Sequence, residues 1–135
     1  MVLGITFETC LPAIGLLDTL KSAALSPTLV IFIIIMAMNL FGLMGIHSIV
    51  SGTILLVLFP SIPTGVADLI LLEALLVGWG LCTALSVGSL SIATGAAMFD
   101  LQPHQGISAL NILYVFVTSA LFAAILAAIN PLLTG

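Results

Sequence analysis

Hydroxyl side chains and glycines are concentrated in one uncharged ten-residue segment, Ser86–Gly95, which has apolar residues on both sides. Its candidate site residues are Ser86, Gly88, Ser89, Ser91 and Thr94. Glycines loosen a helix, and the freed carbonyls add to the hydroxyls as oxygen ligands. Membrane transporters bind substrates and cations at helix breaks of this kind. The segment therefore indicates either a binding site or close helix packing through small residues.

A second polar group lies between two apolar runs, in the segment Phe41-Gly-Leu-Met-Gly-Ile-His-Ser48. Gly45, His47 and Ser48 are its candidate site residues. His47 is the protonatable side chain of this segment, and an imidazole can gain or lose a proton near neutral pH. The segment therefore allows proton coupling, and a hydrogen-bonded structural imidazole is the alternative interpretation.

The composition indicates a membrane protein. Hydrophobic residues make up 62% of the 135 residues and charged residues 4%, whereas soluble proteins have roughly 45–50% and about 25%. Six charges cannot cover the surface of a soluble domain of this size. The composition therefore predicts that the lipid bilayer is the solvent. We expect a multi-pass protein of a cell membrane, with the prokaryotic inner membrane favoured.

Several functional classes are excluded by the residues present. Lys21 is the single basic residue, so the chain cannot neutralise a run of phosphates, and nucleic-acid binding is excluded. Cys10 and Cys82 match no metal-ligand spacing. The HExxH and Gly-x-Ser-x-Gly motifs are absent, which predicts no enzyme. No cofactor is expected beyond a sodium ion or a proton as coupling ion.

The length of the segment 27–59 favours a re-entrant hairpin. A single helix over these 33 residues would be roughly 50 Å long, well beyond a hydrocarbon core of about 30 Å. A break at Gly42–His47 leaves two arms, neither of which is comfortably long enough to span. We therefore expect two half-helices that enter and leave by the same face, and a kinked spanning helix is the alternative.

The remaining segments complete an all-α fold. We expect one membrane domain over 1–135, a polytopic α-helical membrane protein with a re-entrant hairpin and a broken transmembrane helix. Its other elements are a broken helix at 1–25, a helix over 65–99 with its break at 86–95, and a transmembrane helix over 107–129. Glu73 lies within the helix over 65–99. An ionisable side chain inside a membrane helix is a functional candidate, and the alternative is that Glu73 extends to the membrane interface or into the interior of an assembly.

The order of these elements resembles the C-terminal repeat of the ion transporter superfamily. The divalent anion/sodium symporters are the more similar group, and the TRAP large permease subunits are more distant. Phe41–Ser48 occupies the tip of the family's hairpin, Gly52-Thr-Ile-Leu-Leu-Val-Leu-Phe-Pro60 its returning arm, and Ser86–Gly95 its broken helix. Ile14-Gly-Leu-Leu-Asp-Thr-Leu20 resembles the preceding helix. The family's Ser-Asn-Thr and Pro-Pro-Asn triplets are absent, so its sodium ligands are not carried over.

The resemblance implies secondary transport of a small organic or inorganic anion, coupled to sodium or protons. Such transporters place their site between two inverted repeats, and this chain supplies one repeat. We therefore expect it to be a fragment of a longer transporter, or to pair with a partner subunit or a second copy of itself. A membrane assembly subunit that does not transport is the alternative function.

Overall fold

A computed structural model describes residues 25–59, 64–86 and 89–135, and all regular elements in those ranges are helical. The predicted all-α class is thereby confirmed for the described residues. The elements are α1 (Pro27–Leu43), α2 (Ser48–Leu58), α3 (Asp68–Cys82), α4 (Leu90–Met98), a 3₁₀ helix (Pro103–Gly106), α5 (Ala109–Ile129) and α6 (Pro131–Thr134). The broken helix predicted for 1–25 lies outside the described residues, apart from Leu25.

The chain reverses direction between α1 and α2 through the turn 44–47, inside the predicted tip. Gly45 has a φ of +79°, and its N–H donates to the carbonyl of Gly42, while the Ile46 N–H donates to the carbonyl of Phe41. This pair of bonds is the Schellman ending of a helix, for which glycine is preferred because an L side chain is strained at positive φ. The sequence thus ends α1 at this glycine.

Helices α1 and α3 run in the same direction. A Cβ placed on Gly65 would lie 3.9 Å from Pro27 Cγ, and one on Gly78 would lie 2.8 Å from Met38 Cβ. The residue numbers in the two contacts differ by nearly the same amount, 38 and 40. Residue number therefore increases in the same direction along both helices. Because α1 and α3 are parallel, α2 must return between them. Leu56 of α2 lines a pocket of about 150 Å³ together with Met38 and Leu72.

Helix α5 runs antiparallel to α1 and α3. At its C-terminal end the Asn130 side chain accepts a hydrogen bond from the Ala67 N–H and donates one to the Gly65 carbonyl, both at 2.9 Å. Near its start Asn111 donates to the carbonyl of Ala84 at 3.4 Å. We call the end of the bundle at Pro27, Gly65 and Asn130 the base end, and the end at Gly42, residues 44–47 and Cys82 the tip end.

The buried core lies where α1, α3 and α5 meet, with α2 packed against α1 and α3. Its fully buried apolar side chains come mainly from α1. Those buried most completely are Val30, Ile31, Ile34, Ile35, Met38, Ala74 and Val115. Phe32 and Phe116 add an edge-to-face ring contact between α1 and α5, with ring centroids 5.8 Å apart. An aromatic pair in this geometry favours the crossing of the two helices.

Among the described helices, one is long and apolar enough to cross a bilayer, the continuous stretch Ala109–Thr134. Its most apolar window has a mean hydropathy of 2.5, and 22% of that window is buried. Helix α3 is shorter than the part of the predicted helix 65–99 that precedes the expected break at 86–95. Its 15 residues extend roughly 22 Å, because the chain leaves the helix at a turn over 83–85.

Large apolar side chains point outward from every long helix. Those more than half exposed on α1, α2, α3 and α5 are Leu40, Ile49, Leu69, Leu110, Leu113, Tyr114, Phe116, Val117 and Leu121. Most of the outer surface of α5 is therefore apolar, as its low buried share also indicates. A soluble monomer rarely exposes contiguous apolar patches of this kind.

Candidate functional site

The three predicted tip residues lie in or beside the turn between α1 and α2. Gly45 provides the left-handed turn residue, and an added Cβ would meet nothing within 4 Å. His47 is exposed and is the N-cap of α2, with its Nδ1 accepting the Ile49 N–H at 3.3 Å. Ser48, half-buried, is the first residue of α2. In this arrangement the imidazole acts as a helix cap, with Nδ1 as the acceptor.

The predicted break contains a shorter interruption than its composition indicates. Helix α3 ends at Cys82 and α4 begins at Leu90, so Ser91 and Thr94 lie in regular helix and are exposed. The reason is local: Ser89 accepts the Ile92 N–H at 3.2 Å and so caps α4, as serine commonly does. Its hydroxyl also donates to the carbonyl of Thr83 at 2.8 Å.

Ser86 is half-buried beyond the turn that follows α3, and its carbonyl accepts the N–H of Ser89 at 2.9 Å. Gly88 lies outside the described residues. The regular helix stops at Cys82 and resumes at Leu90. The Ser89 cap and the contact between Ser89 N–H and the Ser86 carbonyl lie between these two ends. Hydroxyl groups and backbone carbonyls therefore lie close together after α3, as the composition of the segment predicts.

Both predicted clusters lie at the tip end of the bundle. Cys82 is in the immediate neighbourhood of Gly42, and Ser89 is bonded to Thr83, the next residue after Cys82. Helix α4 packs against the 3₁₀ helix. A pocket of about 210 Å³ beside α4 is lined by Ser91, Ile92, Gly95, Ala96, Phe99 and Leu101. No residue of the segment 41–48 lines this pocket, so it does not connect the two clusters.

Helix ends of both polarities lie at the tip end of the bundle. The starts of α2, α4 and α5 lie there, and none of these helices has an acidic residue in its first turn. The ends of α1 and α3 lie there too. N-terminal N–H groups favour a negative charge, and C-terminal carbonyls favour a positive one. Both kinds of backbone group are therefore present at the tip end.

The structure adds two buried polar side chains that the sequence patterns did not single out as site residues. Asn39 is 1% exposed and Ser119 is 0% exposed. Asn39 Nδ2 donates to the Ile35 carbonyl at 2.7 Å, but within the described ranges Asn39 Oδ1 and Ser119 Oγ have no hydrogen-bond partner. Both lie roughly 17–18 Å from the base end, counting 1.5 Å per residue from Pro27 and from Asn130. In the sequence, Asn39 directly follows the ten-residue apolar run Leu29–Met38. This position of an amide was the signal that could have identified Asn39 as a buried polar residue.

The orphaned hydroxyl of Ser119 leads to a prediction for Ser119→Ala. A buried hydroxyl without a partner is destabilising, so we expect the free energy of unfolding in detergent to stay level or rise by up to about 1 kcal/mol. Thr118→Ala, at the half-buried neighbouring position, is the control for removing a hydroxyl from α5. A loss of stability specific to Ser119→Ala would show that the hydroxyl has a partner in the assembled protein.

Comparisons of the chain with protein-family models, with curated proteins and with solved structures give no match. In the described ranges, no group of three or more His, Cys, Asp or Glu side chains lies together as a metal site. The candidate site therefore consists of helix ends, hydroxyl groups and one imidazole at the tip end.

Proposed function

We propose that the chain is an integral membrane protein and forms one repeat of a secondary transporter for a small anion, coupled to sodium or protons. The observation that supports this most is the reversal at 44–47, with α1 and α3 parallel on either side of it. That topology gathers the starts of three helices and the ends of two others at a single end of the bundle.

The membrane setting is supported by the charges as well as by the apolar outer surface. The described ranges contain no Lys or Arg, and their acidic side chains are Asp68, Glu73 and Asp100. Asp68 begins α3 at the base end and Asp100 follows α4, so both lie at helix ends. This leaves Glu73 as the carboxylate within a helix, and the bundle surface between its two ends is otherwise free of charge.

The dimensions indicate how deep the hairpin reaches. The 17 residues of α1 extend roughly 26 Å, against a hydrocarbon core of about 30 Å. A base end at one membrane surface therefore places the tip near the far side of the core. Polar backbone at that depth requires protein or a water-filled cavity around it, which a second repeat, a partner subunit or a second copy would supply.

In this proposal each cluster has a defined role. The N–H groups at the starts of α2 and α4 bind the anion, with the hydroxyls of Ser48 and Ser86 as additional partners. Carbonyls at the ends of α1 and α3 bind the cation. His47 carries the proton if coupling is to protons, because its Nε2 is the ring nitrogen that does not cap α2.

A membrane assembly subunit that does not transport is the second candidate, and one observation favours it. His47 Nδ1 and the Ser89 hydroxyl are already engaged in helix capping. Capping bonds of this kind stabilise helix ends without any ligand. In that case the polar residues at the tip end only terminate helices, and the outer faces mediate assembly.

Ligand-dependent stabilisation of the chain, purified in detergent within the assembly that it forms in the membrane, tests the transporter proposal. The probes are sulfate, phosphate and succinate, each added in sodium chloride and in potassium chloride. We expect one anion to raise the Tm, because a ligand that binds only the folded state stabilises it. Ser48→Ala should weaken that apparent affinity about ten- to a hundredfold, since a lost hydrogen bond to a charged ligand costs about 1.5–3 kcal/mol.

Thr53→Ala is the matched control, since Thr53 is an exposed hydroxyl residue on the same helix and donates to the Ile49 carbonyl at 2.8 Å. Its removal should leave the anion effect unchanged. Ser89→Ala should weaken binding as well, with an additional loss of about 1 kcal/mol in stability from the missing cap. If none of the three anions raises the Tm, or if Ser48→Ala and Thr53→Ala behave alike, the assembly subunit is the better description.

A further inference from the structure

The imidazole of His47 caps helix α2 in a form that fixes which ring nitrogen carries hydrogen. His47 is the N-cap residue, and its Nδ1 accepts the Ile49 N–H at 3.3 Å. A nitrogen that accepts must keep its lone pair free, and a neutral imidazole then carries its hydrogen on the other nitrogen. The capping ring is therefore neutral, with its hydrogen on Nε2.

Protonation of this ring and the capping bond exclude each other. Because Nε2 already carries a hydrogen, a further proton binds at Nδ1, the atom that accepts from Ile49. Both nitrogens of a protonated imidazole are donors, and neither accepts. Proton uptake therefore ends the bond to Ile49 and sets an N–H of the ring against the N–H of the backbone.

The charge of a protonated ring acts in the same direction. The start of a helix carries a partial positive charge, so a cation is unfavourable there. Helix α2 has no acidic residue in its first turn that offsets this repulsion. Proton uptake thus weakens the start of α2 through the lost bond and through the added charge.

Few titratable groups lie near the tip. Helices α1, α2 and α4 contain none. The other described ones are Asp68, Glu73 and Cys82 on α3, Asp100 and His104 after α4, and Tyr114 on α5. Cys82 is buried beside Gly42. Within the described ranges the ring of His47 has one bond, the one to Ile49, and no carboxylate pairs with it.

Helix α2 is the kind of helix that depends on its cap. It has 11 residues, with Gly52 in its interior and five β-branched residues. Glycine and β-branched residues are weak helix formers, and short helices are marginal without outside support. His47 is exposed, so protons reach its ring without a change elsewhere in the bundle.

We propose that His47 is a pH-sensitive cap. The neutral ring holds the first turn of α2 closed, and proton uptake at Nδ1 opens that turn. The change falls within the range in which imidazoles titrate, about pH 5–8. This device goes beyond the transporter proposal, because it depends on the geometry of the tip and operates with or without transport.

One consequence rests on the transporter proposal. There the N–H groups at the start of α2 bind the anion, and proton uptake by His47 adds the released Ile49 N–H to them together with a positive charge. Proton and anion then bind cooperatively at the start of one helix. Failure of the anion experiment removes this consequence and leaves the pH-sensitive cap untouched.

Thermal unfolding on both sides of the imidazole range, at about pH 8 and about pH 5, tests the cap. The chain is purified in detergent within the assembly that it forms in the membrane, and no anionic ligand is added. The folded state holds the neutral ring, so this stabilisation is present at the higher pH and is lost as the pH falls. We expect the Tm of the wild type to be roughly 3–5 °C lower at the acidic pH.

His47→Asn is the diagnostic variant, because asparagine is a strong N-cap whose acceptor does not titrate. Its Tm should fall much less than that of the wild type. His104→Gln is the matched control, since His104 is the other histidine of the chain and is exposed on the 3₁₀ helix. It should keep the full fall. Equal falls in the wild type and His47→Asn, or a fall that His104→Gln abolishes, overturn the cap.

NMR of the chain labelled with nitrogen-15 at histidine and isoleucine locates the effect. At the higher pH we expect the His47 hydrogen on Nε2 and a protected Ile49 amide. At the acidic pH the ring should be protonated, and protection of Ile49 from hydrogen exchange should fall about fivefold, the equivalent of one capping bond. The Ile54 amide, further along α2, should keep its protection. A hydrogen on Nδ1 at the higher pH, or protection of Ile49 that is independent of pH, contradicts the proposal.

Discussion

Gly78→Leu is expected to lower the free energy of unfolding by about 3 kcal/mol or more, the upper part of the range for overpacked cores. At this position α3 lies directly on α1: a Cβ would stand 2.8 Å from Met38 Cβ and 3.3 Å from Ile35 Cα. Neither neighbour is the flexible end of a side chain, so the two helices must separate. Chemical unfolding of the detergent-solubilised chain measures the loss.

Gly80 provides the matched control two residues further along α3. An added Cβ there meets nothing within 4 Å, so Gly80→Ala should leave stability unchanged or raise it by up to about 1 kcal/mol through helix propensity. Equal losses at both glycines would mean that α1 and α3 do not approach closely at Gly78. The parallel arrangement of these helices would then be contradicted.

Asn130→Ala has the second largest expected effect. The Asn130 side chain is 4% exposed and links the end of α5 to two backbone groups before α3, the Ala67 N–H and the Gly65 carbonyl. Removing it leaves both groups without this partner, and an unsatisfied buried group costs about 1–3 kcal/mol. We expect a loss of about 2–4 kcal/mol on the same basis, measured by chemical unfolding in detergent.

Asn130→Asp separates the two bonds. A carboxylate still accepts from the Ala67 N–H, and a negative charge is favourable at the start of α3, but it cannot donate to the Gly65 carbonyl. The aspartate variant should therefore lie between the wild type and Asn130→Ala. If Asn130→Ala is as stable as the wild type, the base end is not joined through this side chain.

The helical class and the reversal of the chain follow from local features of the sequence. Ser26 and Pro27 start α1, and Gly45 ends it in a left-handed residue. Both signals act over a few residues, so they can be recognised without knowledge of the tertiary structure. The transmembrane helix predicted for 107–129 corresponds to α5, whose start is fixed by Ser108 as N-cap.

The break after α3 shows where composition is insufficient. Ser86, Ser89 and Ser91 have the same side chain, but Ser89 alone caps α4, and Ser91 is already in the first turn of that helix. Which of several serines becomes the cap depends on where the preceding turn ends, and composition does not specify that position. Composition therefore located the polar segment without giving the extent of the unwound part.

The tertiary arrangement was not accessible from the sequence patterns. Gly78 and Gly80 both lie in the apolar helix α3, yet the former lies against α1 and the latter is exposed. Asn39 and Ser119 are 80 positions apart in the sequence. They lie at the same height along the bundle axis only because α1 and α5 are antiparallel. Long-range register of this kind depends on how three helices pack together, which no local period encodes.

The central claim is that the chain is a membrane protein whose hairpin returns to the membrane face by which it enters. Labelling of single cysteines with a membrane-impermeant maleimide tests this claim most directly. The positions are Ser26 before α1, Thr64 before α3 and Asp100 near the start of α5, in a background without Cys10 and Cys82. We predict that Ser26→Cys and Thr64→Cys are labelled from one side of intact cells or inverted vesicles and Asp100→Cys from the other. Labelling of Ser26→Cys and Thr64→Cys from opposite sides, or of all three positions from both sides, would contradict the account.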